Sequence, residues 1–141
     1  MGPMRVRAAL VLLSALAGCH SDRSPGDVAG RFLDDYYVEV NQPAALALAT
    51  GPAAARLRAE MADLDEARRQ GVEAAPSRPH VYYEPLQKPE PPAAGRQSRK
   101  YRLSIDSGGV MLQKRVDLLL SDEGGRWRVY QFGEADLSAA P

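Results

Sequence analysis

Asp35 and Glu39 stand four residues apart, the spacing that puts two carboxylates on one face of a helix. At a pocket mouth each would raise the other's pKa, and the pair could serve as acid and base. A solvated helix edge, or salt bridges to nearby arginines, accounts for the same two residues. Nothing else in the chain supports catalysis. His20 and His80 have no local partner that makes a dyad. There are no paired histidines and no acidic loop with Ca²⁺ ligand spacing, and Asp122-Glu123-Gly124-Gly125 is ordinary turn chemistry. Gly108-Gly109 and Gly124-Gly125 lack the strand, glycine loop and helix of a phosphate site, and no nucleophile-elbow serine is present. The residues predict no metal, no cofactor and no assigned catalytic group.

Aromatic residues are the other candidate for a site. Tyr36, Tyr37, Tyr82, Tyr101 and Trp127 could line one cavity, with Tyr83, Tyr130 and Phe132 nearby in sequence. Tyrosine offers an apolar wall with a hydroxyl handle, which suits a small-ligand pocket. The competing expectation is that these rings fill a small core or pair across strands.

Helices must position both sets. Ser24 followed by Pro25 and Asp27 reads as an N-cap and first turn. Val28, Phe32, Tyr36 and Val40, joined by Ala29, Leu33 and Tyr37, then form a broad apolar stripe over about residues 25–40. Asn41-Gln42-Pro43 restarts the chain into a short helix to Thr50, and a third helix runs from about Ala53 to Gln70. Beyond Gly71 the period changes to two. Strands are expected at 80–86, around 101–106, at 110–120 with Leu112, Val116, Leu118 and Leu120 inward, and at 126–132. Lys88 to Gln97 reads as an exposed loop. Helices followed by hairpin-linked strands define an α+β domain, with a curved, mainly antiparallel four-stranded sheet wrapped on the first helix. That domain is expected over 25–133, with a flexible tail at 134–141.

The N-terminus carries an address. Arg5 and Arg7 precede a ten-residue apolar run, Ala8 to Ala17, too short to span a bilayer but proportioned as a secretory signal. Leu16-Ala17-Gly18-Cys19 resembles the lipobox of bacterial lipoproteins. That resemblance implies a signal peptide at 1–18, lipidation at Cys19 and a lipidated polar tether at 19–24. Stable anchoring takes at least two acyl chains, and lipoproteins of this class carry three. His20 rather than an aspartate after the cysteine points to the outer membrane, with the domain facing the periplasm. Acylation would also remove the chain's lone thiol, an oxidation liability in an exported protein.

Val28-Ala29-Gly30-Arg31-Phe32-Leu33, Asn41-Gln42-Pro43-Ala44-Ala45-Leu46-Ala47 and the final Gly125-Arg126-Trp127-Arg128-Val129 resemble the NTF2-like (nuclear transport factor 2-like) superfamily. Its cone wraps a curved antiparallel sheet around an N-terminal helix; a cystatin-like helix on a sheet has nearly the same outline. The superfamily includes isomerases and dehydratases that use a carboxylate inside the cone, a role that would fall to Asp35 or Glu39.

Cleavage before Cys19 would leave 16 Lys and Arg against 18 Asp and Glu, a net charge of about −2. That balance argues against nucleic acid as a partner. The leading expectation is a membrane-anchored, non-catalytic domain that binds a small apolar ligand or an envelope protein. An NTF2-like enzyme and a structural envelope subunit are the alternatives.

Overall fold

A computed structural model describes residues 22–74 and 77–137. Cys19, His20 and the presequence lie outside them. The element order is α1 (Pro25–Leu33), a π-helical turn (Asp34–Val38), α2 (Gln42–Ala47), α3 (Gly51–Arg69), then β1 (His80–Pro85), β2 (Arg96–Ser107), β3 (Val110–Glu123) and β4 (Arg126–Asp136). The strands form one antiparallel meander, β1-β2-β3-β4, curved and unclosed. The chain is therefore α+β, helices first.

Local chemistry sets the start of α1. Ser24 Oγ accepts from Asp27 N–H, Pro25 occupies the first turn, and Asp27 complements the positive end of the helix dipole. Its end differs from the sequence reading. The α-helix stops at Leu33, not near residue 40, and one π turn follows, closed by Glu39 N–H donating to Asp34 O at 2.8 Å. A wider turn changes the angle between successive side chains. Tyr36 and Tyr37 thereby reach different partners.

The exit from that turn is strained. Val40 adopts φ 53°, a left-handed conformation that is a genuine outlier for a β-branched residue. Asn41 then caps α2 by accepting from Ala44 N–H. Val40 is exposed, so removing its side chain loses little packing. Val40→Gly is expected to raise stability by about 1 kcal/mol, read as a higher urea midpoint; a lower midpoint would show that the side chain contributes more than the strain costs.

α3 begins two residues before the expected Ala53. At Gly51, φ is 52° and an added Cβ would lie 2.7 Å from the Tyr130 ring, so this close approach demands glycine. The link between α2 and α3 protects the edge of β4: Val129 N–H donates to Leu48 O, and Thr50 N–H donates to Val129 O.

Within β4 the register shifts opposite Leu119/Leu120. One extra residue there lets Trp127, Val129 and Phe132 all point into the core despite their uneven spacing. They pack with Tyr101 and Leu103 of β2 and with Val116, Leu118 and Leu120 of β3. Helical residues Val28, Phe32, Leu33 and Leu57 complete the core. Val28, Phe32, Leu33, Val116, Leu120 and Val129 are 0% exposed, so no water-sized gap touches them. The space between α1 and the sheet is filled.

One burial and two boundaries need correction. Leu112 has the inward parity expected of it but is exposed, because this end of the sheet runs past the helices. β2 begins at Arg96, inside the expected loop. β4 continues to Asp136, with Glu134, Ala135 and Asp136 paired to Val116, Arg115 and Lys114 in place of a frayed tail from 134.

Candidate functional site

Two polar constellations stand out, and each is built on elements that fix its geometry. The first closes over an aromatic box. Phe32 stacks on Tyr36 with ring centroids 5.8 Å apart, and Phe132 meets both rings edge-on at 5.0 Å. Tyr37 stands edge-on to Tyr36 at 4.7 Å. From the π turn, Tyr36 OH donates to Glu60 of α3 (2.8 Å to Oε2), while Tyr37 OH donates to Glu134 of β4. Arg56 bridges the two carboxylates, with Nε 2.8 Å from Glu60 and a terminal nitrogen 3.3 Å from Glu134. Its guanidinium also donates to Phe132 O and lies 4.1 Å over the Phe132 ring.

Burial, reinforced by the carboxylate each one bonds, pushes both phenols up, so they remain protonated donors. Burial works against the Arg56 charge, but Glu60 and Glu134 more than offset it. Each hydroxyl has an acceptor and each carboxylate has donors. The group is a closed tie between α3, β4 and the π turn, with no free acid or base.

The second constellation clamps the start of the domain. The Asp22 carboxylate accepts from Arg31 (2.8 Å), Arg128 (3.0 Å) and Arg126 (3.1 Å), and its carbonyl accepts from Trp127 N–H (2.8 Å). The hydrogen bonds from Arg128 and Arg31 outweigh the opposing effect of burial and hold this carboxyl at about 2. Residues 22–24, assigned to the tether on sequence, are therefore docked on the fold.

The expected site residues do not converge. Tyr36 and Tyr37 share the aromatic box. Tyr101 and Trp127 are core residues, and Tyr82 is exposed on the edge strand. Asp35 is half-buried, and burial raises its pKa, with Asp34 and Glu39 adding to the rise and Arg31 opposing it. Glu39 is exposed. Glu39 lines a shallow groove of ≈ 360 Å³ with Val40, Pro43, Met61 and Leu64, and Arg78 donates to its carbonyl. Asp35 does not line that groove. It is Asp34 that finds a partner: Tyr83 OH donates to it at 2.8 Å, and burial followed by this bond pushes Tyr83 up to about 12. His80 is exposed at the start of β1. Among the described residues no three His, Cys, Asp or Glu side chains are placed to hold a metal ion.

Sequence reasoning missed Arg56, Glu60 and Glu134, and the Asp22 clamp. Only Arg56 and Glu60 carried a signal, as an i,i+4 pair. Apart from Asp22 with Arg31, nine positions away, the other contacts join residues 24 to 106 positions apart, which no local pattern encodes. The chain matches no protein-family model, and no curated protein matches its sequence.

Proposed function

We propose that this protein is a bacterial envelope lipoprotein, anchored through Cys19 in the outer membrane, whose periplasm-facing domain is non-catalytic and binds a protein partner. One observation carries the binding half. Among the described residues, the exposed large apolar side chains, each 40–61% accessible, include three in a row, Val110, Met111 and Leu112. Asp22 is bonded to Trp127, which pairs with Asp122 at one end of β3. Val110, Met111 and Leu112 occupy the other end, about 35 Å away at strand spacing. α3 starts beside Val129, passes Arg56 at Phe132, and carries Leu64 about 12 Å beyond Arg56 along the same direction. Val40 and Leu64 line one groove. Adjacent exposed apolar groups such as Val110, Met111 and Leu112 support an interaction surface.

The filled interior favours a protein partner over a small apolar ligand. Helices followed by a curved open sheet support the NTF2-like reading, which a cystatin-like domain would share in outline. Catalysis finds less support, since Asp35 and Glu39 do not meet in one pocket.

The address is tested by labelling with palmitate in a bacterial host. Wild type should incorporate label and sediment with membranes; Cys19→Ser should do neither, and label persisting in the variant would overturn the anchor. The partner surface is tested with a photo-cross-linking residue at Met111 of the full-length chain. A discrete adduct is expected from Met111 and not from Ser121 near the clamp. The double variant Val110→Ser with Leu112→Ser should remove most of it without changing the unfolding midpoint. No adduct at Met111, or equal adducts at both positions, would sink the reading.

A further inference from the structure

The two ends of the domain also differ in charge. Segments 22–31, 86–100 and 117–133, which surround Asp22, hold eight Lys and Arg against six Asp and Glu. Segments 34–44, 59–74, 77–85, 101–116 and 134–137, which build the far end, hold six against twelve. Three of the six acids of the near end are engaged: Asp22 by three guanidinium groups, Asp117 by Arg115 and Asp122 by Gly125 N–H. Arg126 is largely exposed, and Arg96 lies open over the Tyr130 ring.

We infer that the domain stands end-on against anionic lipid headgroups, its arginine-rich end on the bilayer and its acidic, apolar-studded end held away from it. The inference rests on the lipid address proposed above. Cys19 is three residues from Asp22, a reach of about 11 Å when fully extended. The clamp prevents the chain from peeling off to lengthen that reach. The near end is thus confined to about one Debye length from the headgroup phosphates, where their attraction for guanidinium groups is strongest. The same field would repel the acidic far end if it turned towards the bilayer. Orientation follows from the charge asymmetry together with the short tether, and it presents Val110, Met111 and Leu112 to the periplasm.

Energy transfer to an acceptor lipid tests this. The acylated protein has no free thiol of its own, so Ser121→Cys or Ser107→Cys gives one donor site at either end of the sheet. On vesicles of phosphatidylethanolamine with phosphatidylglycerol, transfer should be strong from position 121 and weak from position 107. Equal transfer, or the reverse order, would overturn the proposal. A second arm separates this surface from the lipid address. Unacylated Cys19→Ser protein should sediment with the phosphatidylglycerol vesicles at low salt, and should be released at high salt or when phosphatidylglycerol is omitted. Lys88→Glu with Arg96→Glu, neither touching Asp22, should weaken that association roughly tenfold or more, with Trp127 emission unchanged. If wild type fails to acquire lipid, the address is wrong and the vesicle arm alone decides. Failure of the unacylated protein to bind, or binding insensitive to the charge reversals, overturns the headgroup surface whatever Cys19 does.

Discussion

Phe32→Ala is expected to cost the domain about 3–5 kcal/mol, the usual range for deleting a fully buried phenyl ring. Phe32 has no accessible surface and sits between Tyr36 and Phe132 at the centre of the helix–sheet contact. Removing it leaves a cavity that two rings, fixed by their own hydrogen bonds and strand pairing, cannot close. Tyr36 is tied to Glu60, and Phe132 lies under Arg56. Domains of this size have only about 5–15 kcal/mol in total, so the variant should unfold at much lower urea with an unchanged slope. Phe32→Leu retains most of the volume and should cost less than half as much. The measurement also addresses function. A hollow, ligand-holding cone would already have space beside Phe32, and truncation there would cost about 1 kcal/mol or less. A small loss would therefore argue against a filled interior and return the aromatic residues to the ligand reading.

How much of this was legible in the sequence depended on whether the cause was local. The stripe Val28, Ala29, Phe32 and Leu33 has the helical period, and its burial follows directly. Tyr101, Leu103, Val116, Leu118 and Leu120 alternate, so their inward faces were readable as well. Phe132 breaks the alternation, because the bulge in β4 is set by pairing with β3 and not by any residue beside it. Tyr36 and Tyr37 continue the helical stripe as read, yet the π turn sends their hydroxyls to α3 and β4. That departure is driven by tertiary partners. Leu112 has the right parity for burial; what it lacks is a helix above it, which strand pattern alone does not reveal. Asp22 looked like part of a polar tether because its three arginines lie 9 to 106 residues away.

That clamp gives the second large effect, and its sign follows from the direction of the shift. Asp22 is held at about 2 in the folded domain, below its ordinary 3.8, chiefly by hydrogen bonds from Arg128 and Arg31. A depressed carboxyl contributes stability that is fully present above its unfolded pKa and is lost as pH falls through the folded one. The carboxylate is 17% exposed and Arg126 is 67% exposed, so water screens part of the interaction and about 1–2 kcal/mol remains at neutral pH. Asp22→Asn should lower stability by that amount at pH 7. The deficit relative to wild type should shrink as pH falls from about 5 towards 2, because wild type then loses the same charge. Urea midpoints across that range measure the gap, and a gap that stays constant would show that the carboxylate's charge is not what holds the N-terminus. Trp127, the chain's one tryptophan, donates its backbone N–H to Asp22 O while its side chain sits in the core, so its emission is expected to respond when the clamp opens. An acid-induced change in Trp127 emission that precedes global unfolding in wild type, and is already present at pH 7 in Asp22→Asn, would identify release of residues 22–24 as the first acid-induced step.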